Sequence, residues 1–411
     1  MGSNDFLLTR RAVVAVGLCA VGMPMAGLLG CSSGRDGQTA NGSSVRPAKV
    51  QPKKSKVDLL LAKMTTEQKV AQLFVVSPEQ LTGIGTAVSA GETTRKALAA
   101  HPVGGLCYFG KNITDKEQLT SMLANTLPYG AQAGVGIKPF LTVDEEGGSL
   151  VARVANSGVF DVEKFPDMAN IGASGDTSTA EHVGSTIGTC LRQIGFNVDF
   201  APVADVLTNP ANTVIGKRAF SSDPAVCAEM VAAEVESMLK TGTLPCVRHF
   251  PGHGDTAGDS HTGAVRAMRT REQIEACEFV PFKAGIEVDC PMVMVGHIET
   301  PNFAADGLPA SLSKVMMTDI LRGELGFSGL IISDLFAMGA ITDNYEPADA
   351  AVRFFAAGGD VLLMPEDFSA TYTGVVKAVK AGGLKLEQID ASVKRVLKVK
   401  ESAGLLPKTV A

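Results

Sequence analysis

The stretch that decides the fold reads T-L-P-C-V at residues 243–247 and R-H-F-P-G-H-G-D-T-A-G-D-S-H at residues 248–261. The first part is short and apolar, which predicts a buried β-strand. The second part contains one proline and three glycines, so it predicts a loop rather than a helix or a strand. Three of the six histidines of the chain lie in this loop. Titratable side chains directly after a buried strand are typical of the active-site face of an α/β barrel.

Seven other apolar runs have the length and composition of buried strands. They lie at residues 73–76, 105–109, 139–143, 198–202, 292–297, 330–333 and 361–364. Helical patterns between them include residues 114–131, 224–240, 271–287, 313–325 and 348–357, with a closing helix at residues 386–400. Eight apolar strands with helical crossovers predict a parallel sheet, and that number favours a closed (β/α)8 TIM-type barrel. No glycine-rich phosphate fingerprint follows a strand, so a dinucleotide-binding fold is not indicated.

The composition narrows the partners of this 411-residue chain. A net charge of −6 without long basic runs argues against a nucleic-acid partner. The chain has no tryptophan and only four tyrosines, which disfavours an aromatic platform for a long polysaccharide. The cysteines have no metal-ligand spacing, and we expect neither a metal nor another cofactor. Residues 57–405 are expected to form a single catalytic domain that acts as a monomer.

The N-terminus has the pattern of an export signal. Arg10 and Arg11 precede an uncharged apolar run at residues 12–30, which resembles a twin-arginine signal peptide. The run ends in L-L-G-C, which resembles a lipoprotein processing box with Cys31 as the lipidated residue. Residues 31–56 are rich in Ser, Gly, Gln, Pro and Lys and are expected to form a flexible tether. The pattern predicts a cell-membrane lipoprotein whose catalytic domain faces outside the cytoplasm.

Polar side chains follow most of the predicted strands. The strand ends carry Asp144, Asp205, Arg248, His249, His297 and Asp334, and the segments beyond them carry Arg153, Arg218, Asp259 and His261. The carboxyl ends of barrel strands meet on one face, so these residues are expected to converge in one pocket. A single acid at a strand end is more often a helix cap, whereas several in register indicate an active site.

Four motifs resemble those of the N-acetyl-β-glucosaminidase branch of glycoside hydrolase family 3. They are D-E-E-G-G at 144–148, I-G-K-R-A-F at 215–220, H-F-P-G-H-G at 249–254 with D-S-H at 259–261, and I-S-D at 332–334 with Met338 four residues beyond. The resemblance covers roughly residues 57–399. The family pattern has a lysine before H-F-P-G-H-G, where this chain has Arg248. A planar guanidinium does not replace an ammonium group in geometry, so one sugar contact is expected to differ.

The resemblance implies a role for each polar residue. Asp334 would be the nucleophile, and His261 would be the general acid/base, oriented by Asp259. The sugar would be held by Asp144, Arg153, Arg218, Arg248 and His249, with Asp205 and His297 supporting the pocket. Two inversions at the anomeric carbon would make the enzyme retaining. The chemistry agrees with these roles, because a histidine titrates near neutral pH and can protonate a leaving oxygen.

The expected reaction is the release of one terminal N-acetylglucosamine from a β-linked glycan, such as a cell-wall fragment. Three alternatives stay open at this point. A phosphorylase of the same family would use phosphate in place of water. A zinc hydrolase would use His249, His253, His261 and Asp259 as ligands. A non-catalytic glycan-binding lipoprotein would be expected to lack at least one of the three catalytic residues, and all three are present.

Overall fold

The computed structural model describes residues 55–410, and at its centre is a barrel of eight parallel strands. The strands are β1 (Phe74–Val76), β2 (Gly105–Cys107), β3 (Phe140–Val143), β4 (Val198–Asp199), β5 (Leu244–Phe250), β6 (Met292–Val295), β7 (Leu330–Ser333) and β8 (Leu362–Leu363). Each strand coincides with one of the predicted apolar runs. Continuous apolar sequence is what a strand covered on both faces requires.

Strands that follow one another in sequence are neighbours in the barrel. The sheet order runs from β7 through β6, β5, β4, β3, β2 and β1 to β8. Phe74 of β1 pairs with Leu362 of β8, and a parallel bridge between Ile332 of β7 and Val361 closes the ring. The prediction of a closed (β/α)8 barrel is therefore confirmed.

Helices cover the outside of the barrel. They are α1 (Lys56–Lys63), α2 (Thr66–Ala71), α3 (Pro78–Thr82), α4 (Glu92–Ala100), α5 (Lys116–Ala131), α6 (Met168–Ala173), α7 (Thr177–Ile194), α8 (Pro224–Thr241), α9 (Arg271–Ala276), α10 (Phe279–Glu287), α11 (Gly339–Thr342), α12 (Pro347–Ala356), α13 (Phe368–Lys380) and α14 (Leu386–Ser402). A further helical segment, Val315–Glu324, has π-type hydrogen bonding. Helices α7 and α8 pack closely at Gly184 of α7. A Cβ atom there would lie only 2.3 Å from Oγ of Ser237 in α8, so the close approach requires glycine.

Most predicted helices differ from the structure by at most two residues at each end, and the largest difference lies at residues 271–287. Helix α1, which the sequence analysis did not predict, begins at Lys56, and the hydroxyl of its N-cap Ser55 accepts a hydrogen bond from the N–H of Asp58. The run 271–287 is divided into α9 and α10, since the backbone of Cys277 leaves the helical region with φ −128° and ψ −76°. Helix α2 begins with a complete capping box on Thr65.

The N-terminal features predicted from the sequence, including Arg10, Arg11 and Cys31, lie outside the described residues. Within residues 55–410, no helix has the length and apolar character needed to cross a membrane. The six cysteines of this part are free thiols, and four of them are buried.

The strands separate an apolar barrel interior from a polar rim. A small interior cavity is lined by side chains of five strands, among them Val75, Phe140, Val198, Met292 and Leu330. Asp144 follows β3 directly and Asp334 follows β7 directly. Their strands are parallel, so both carboxylates lie at the carboxyl-terminal end of the barrel, where such barrels carry their active sites.

Candidate active site

The carboxylate of Asp334 is buried at the end of β7, with 7 % of the residue exposed. Its Oδ1 accepts a hydrogen bond of 2.8 Å from the N–H of Leu335. Burial would raise the pKa of Asp334, but the rings of His249 and His297, the guanidinium of Arg248 and this N–H lower it well below its usual range. Asp334 is therefore ionised at neutral pH, as a nucleophilic carboxylate must be.

Arg218 and Arg248 share the buried carboxylate of Glu146. Nε and Nη2 of Arg218 donate to the two oxygens of Glu146 at 2.8 and 2.7 Å, and Nη1 of Arg248 lies 3.4 Å from Oε1. Nη1 of Arg248 also donates to Asp144 and, at 2.9 Å, to the carbonyl of Phe200. Burial would raise the pKa of Glu146, but the charges of the two arginines keep it below its usual value. Both guanidinium groups are thus fixed in position within the protein.

His249, the penultimate residue of β5, has a partner on each ring nitrogen. Nδ1 lies 2.8 Å from Oδ2 of Asp205, and Nε2 lies 2.7 Å from Nε of Arg248. Burial would raise the pKa of Asp205, but the rings of His249 and His253 and the backbone N–H of His253 keep it low. The ionised Asp205 therefore accepts the Nδ1–H of His249, which agrees with the supporting role expected of it.

His261 and Asp259 form a hydrogen-bonded pair in the loop after β5. Nδ1 of His261 lies 2.7 Å from Oδ1 of Asp259, which also accepts the backbone N–H of His261 at 2.9 Å. Burial would raise the pKa of Asp259, whereas the N–H and the ring of His261 lower it. The ionised Asp259 accepts Nδ1–H and leaves Nε2 of His261 for a ligand. The side chains are 60 and 42 % exposed, so this loop leaves the pair open to solvent.

The rest of this loop is anchored. Nδ1 of the buried His253 lies 2.7 Å from Oγ1 of Thr256, and Nε2 lies 3.2 Å from Oγ of Ser260. The N–H of Gly339, at the start of α11, donates to the carbonyl of His261 at 3.2 Å. Within residues 55–410, no three His, Cys, Asp or Glu side chains converge as metal ligands. The geometry thus does not gather the ligand set that the zinc-hydrolase alternative requires.

His297 is buried after β6 and holds the backbone beside the nucleophile. Nε2 lies 3.0 Å from the carbonyl of Leu335, and Nδ1 lies 2.7 Å from Oγ of Ser311. A carbonyl can only accept, so Nε2 carries the proton and the hydroxyl of Ser311 donates to Nδ1. Burial lowers the pKa of His297, which favours this neutral ring. The position fits a supporting residue, because Leu335 directly follows Asp334.

Arg153 reaches the site from a hairpin made by residues 145–147 and 151–152. Its guanidinium lies 5.9 Å from the centroid of the Phe109 ring, and its backbone N–H donates to the carbonyl of Asp144 at 3.2 Å. Nε of Arg153 is buried without a hydrogen-bond partner among the described residues. A cation with open donors at this place is suited to bind the hydroxyl groups of a ligand.

One cavity of about 200 Å³ brings the predicted ligand-binding and catalytic groups together. Its lining includes Asp144, Arg153, Arg218, Arg248, His261 and Asp334. The other four predicted residues support this lining through hydrogen bonds. His249 bonds to Arg248 and is itself bonded to Asp205. Asp259 bonds to His261, and His297 bonds to the carbonyl of Leu335. Pockets for drug-sized ligands usually have ~300–1,000 Å³, so this cavity is suited to a single sugar ring.

Glu146 is the main site residue that the sequence reasoning missed. It is 2 % exposed and is the shared partner of Arg218 and Arg248. Side chains alternate in direction along extended chain, so in D-E-E the first and third acids point to the same side. That alternation was a signal for placing Glu146 beside Asp144, with Glu145 pointing away.

Comparisons with known proteins agree with this geometry. Residues 65–399 match the family model described as Glycosyl hydrolase family 3 N terminal domain. The chain is 35 % identical over 328 residues to Beta-hexosaminidase A of Pseudoalteromonas piscicida, a match that covers 74 % of this chain and 54 % of that protein. It is 31 % identical over 350 residues to Beta-hexosaminidase LpqI of Mycobacterium tuberculosis, covering 82 % and 84 % of the two chains.

Solved structures give the same result. A glycoside hydrolase family 3 beta-N-acetylglucosaminidase from Paenibacillus sp. superposes with a TM-score of 0.77 and 32 % identity, over 85 % of this chain and 64 % of that one. A glycosyl hydrolase of the GH3 family from Mycobacterium smegmatis superposes with a TM-score of 0.71 and 33 % identity, over 82 % and 98 %. The chain thus spans little more than half of the first relative's length, and nearly all of the last.

The family match covers every strand of the barrel and all ten predicted site residues from Asp144 to Asp334. By its sequence and its fold, the chain belongs to glycosyl hydrolase family 3.

Proposed function

We propose that this protein is a retaining, exo-acting β-N-acetylglucosaminidase that removes one terminal N-acetylglucosamine from a β-linked glycan. The observation that carries the proposal is that the ionised Asp334 and the His261 of the His261–Asp259 pair line the same cavity. An anion and a proton donor facing one sugar-sized space are what glycoside cleavage needs. The names of the relatives, beta-hexosaminidase and beta-N-acetylglucosaminidase, support the choice of sugar.

In the first step, a carboxylate oxygen of Asp334 attacks the anomeric carbon and forms a glycosyl ester. The bond to the leaving oxygen breaks, and that oxygen takes the proton from Nε2 of His261. Asp259 keeps the proton on Nδ1, so the ring stays oriented with Nε2 toward the leaving group. The ionised state of Asp334, maintained by Arg248 and its neighbours, makes the attack possible at neutral pH.

In the second step, the neutral His261 removes a proton from water, and the hydroxide oxygen attacks the anomeric carbon. The ester bond to Asp334 breaks and regenerates the carboxylate. The sugar leaves with the β configuration after two inversions. Because His261 is half-exposed in an open loop, water can reach it once the leaving group has gone.

Sugar hydroxyls would be bound by the charged lining of the cavity. Arg153 has open donors, and Asp144 and Arg248 are already held in a fixed relative position. A cavity of about 200 Å³ with few aromatic residues favours one sugar and therefore exo action. We propose cell-wall fragments as natural substrates, because the chain is also proposed to act outside the cytoplasm.

A panel of chromogenic glycosides tests this function on a chain that begins at Ser55. The β-N-acetylglucosaminide should be cleaved much faster than the β-glucoside, since a site built for a polar group penalises analogues that lack it by ~10²-fold or more. The α-anomer should not react, because its leaving group would occupy the side from which Asp334 attacks. Comparable kcat/KM values on the two β-glycosides would contradict the choice of sugar.

A phosphorylase is the second candidate function, and the identity of the acid/base residue supports it. His261 is a histidine, which unlike a carboxylate does not repel an incoming phosphate anion. Incubation with the β-N-acetylglucosaminide in phosphate buffer separates the two reactions. Sugar 1-phosphate would identify a phosphorylase, whereas free N-acetylglucosamine at all phosphate concentrations would identify the hydrolase.

We also propose the location and domain organisation that the N-terminal sequence indicates. Residues 1–30 would be an export signal, Cys31 the lipidated residue, residues 31–56 a tether, and residues 57–405 a monomeric catalytic domain on the outer side of the membrane. Replacing Arg10 and Arg11 by lysine should block export, and Cys31→Ala should prevent palmitate incorporation without loss of activity. A wild-type protein that takes up no radiolabelled palmitate in its host would contradict the lipoprotein proposal.

A further inference from the structure

Glu145 is a buried acid that none of the proposed catalytic steps uses. It points away from the cavity and is 4 % exposed. Its two carboxylate oxygens accept the backbone N–H groups of Val154 and Ala155, at 2.6 and 3.0 Å. These two residues directly follow Arg153, so the carboxylate holds the chain at the point where the substrate-binding arginine emerges.

The backbone of Glu145 is itself fixed. Its N–H donates to Oδ1 of Asp199, a fully buried side chain at the end of β4, at 2.9 Å. The hairpin is tied a second time at its tip, where the N–H and the hydroxyl of Ser149 both donate to Oδ1 of Asp167 at 2.8 Å. The hairpin therefore has a buried anchor at its foot and an exposed anchor at its tip.

Arg153 depends on these anchors more than the other arginines do. Arg218 and Arg248 each donate side-chain hydrogen bonds to buried acceptors. Nε of Arg153 is buried without a hydrogen-bond partner among the described residues, and its guanidinium faces the Phe109 ring. Its position must then come from the backbone, which Glu145 holds on the C-terminal side.

We propose that Glu145 is a positioning residue that sets the place of Arg153 in the sugar-binding cavity, an inference that rests on the proposed glycosidase function. Glu145 acts through the backbone of residues 153–155 and does not touch the substrate. The carboxylate is suited to this task because it offers an acceptor to each of two buried N–H groups. A glutamine side chain has only one carbonyl oxygen, so one of the two buried N–H groups would lose its partner.

The experiment uses Glu145→Gln, Arg153→Ala, the double variant, and Glu234→Gln as the matched control. Glu234 is a fully buried glutamate of α8 whose carboxylate oxygens have no hydrogen-bond partner among the described residues, so the same change there removes no hydrogen bond from the hairpin. Steady-state kinetics on the chromogenic β-N-acetylglucosaminide are measured at about pH 8. Burial raises the pKa of Glu145 to about 7, and the N–H groups of Val154 and Ala155 counteract this rise, so the ionised form dominates there.

Glu145→Gln should raise KM on the order of tenfold and change kcat by less than about threefold, because binding is weakened while Asp334 and His261 stay in place. In the Arg153→Ala background the same change should have no further effect, because the residue through which Glu145 acts is gone. Amide exchange should accelerate at Val154 and Ala155 in Glu145→Gln and remain slow in Glu234→Gln. The Glu234→Gln control should have the same KM as the wild type.

Three results would overturn the inference. Equal, additive losses from Glu145→Gln and Arg153→Ala would mean that Glu145 acts independently of the arginine. A fall in kcat with unchanged KM would assign it to the chemical step or to general stability. Unchanged exchange at Val154 and Ala155 would show that the carboxylate does not hold them. If the wild type cleaved no glycoside at all, the proposed function would fail, while the exchange result would still decide whether Glu145 anchors the hairpin.

Discussion

Nε of Arg248 donates a hydrogen bond of 2.7 Å to Nε2 of His249, the next residue in the chain. An arginine N–H can only donate, so Nε2 of His249 must be the acceptor and its proton lies on Nδ1, facing Asp205 at 2.8 Å. The same guanidinium reaches Asp144 through Nη1. Arg248 therefore does two things at once: it orients a histidine and it fixes an acid of the cavity. A lysine, with a single nitrogen on a flexible stem, could not make both contacts in this geometry.

This relationship predicts the effect of restoring the family lysine. Arg248→Lys should lower kcat/KM by on the order of ten- to a hundredfold, because His249 or Asp144 loses a charge-assisted partner in a buried place. We expect the loss to be larger on the galacto epimer, because the guanidinium is expected to relax the recognition of one hydroxyl and the lysine would restore it. Kinetics on the two β-N-acetylhexosaminides check this.

Arg266→Lys is the control for the Arg248 substitution, because its exposed ion pair with Glu299 lies away from the cavity. That variant should match the wild type on both substrates. An Arg248→Lys enzyme with wild-type kcat/KM would show that the contact with His249 has no part in catalysis or binding.

The second prediction concerns the nucleophile. Asp334→Asn should preserve the fold and reduce turnover by several orders of magnitude, because an amide oxygen cannot form the glycosyl ester. Circular dichroism and rates on the chromogenic substrate measure the two effects, and Asp161→Asn, an exposed site, serves as the control. More than about a tenth of the wild-type rate, a barrier change under ~1.4 kcal/mol, would refute the assignment.

The third prediction concerns the acid/base. His261→Ala should slow substrates with poor leaving groups by ~10²–10⁴-fold, because these need protonation to depart. A good leaving group should restore the first step but leave water attack slow, so a burst of released chromophore should precede a slow steady state. Rapid-mixing measurements with two aglycones of different acidity test this. Equal losses on both substrates without a burst would make His261 a structural residue.

The barrel and most of the site could be predicted because their signals are local. A buried parallel strand is a continuous apolar run, and the polar residue that ends it is its neighbour in sequence, as Val143 and Asp144 are. The pairing of Asp259 with His261 is local as well, because only one residue separates them in the same turn. The sequence could therefore indicate both the face of the barrel and the titratable groups on it.

Contacts between distant segments could not be predicted in the same way. Glu146 meets Arg218 across 72 residues of sequence, and their distance is fixed only when β3 and the loop beyond β4 are brought together. The role of Glu145 depends on the exact path of a hairpin that pairs residue 145 with Ala152.

The last prediction concerns stability and Glu234. This side chain is fully buried in α8 without a hydrogen-bond partner in the described part of the chain. Burial, with a smaller contribution from the charge of Glu146, raises its pKa from 4.5 to about 8. The folded protein thus keeps a proton that the unfolded chain loses near its ordinary pKa, and the stability from this group is present below about pH 4.5 and lost as the pH rises toward 8.

Glu234→Gln removes the titration, so the variant should gain stability over the wild type as the pH rises. The difference in the free energy of unfolding should be small at about pH 5 and reach a few kcal/mol at about pH 8, since one pKa unit corresponds to ~1.4 kcal/mol. Urea denaturation of both proteins at several pH values measures it. Glu236→Gln, exposed two residues further along the same helix, should show no such trend. A difference that is independent of pH would mean that Glu234 is ionised in the folded protein, and that a partner such as bound water satisfies its charge.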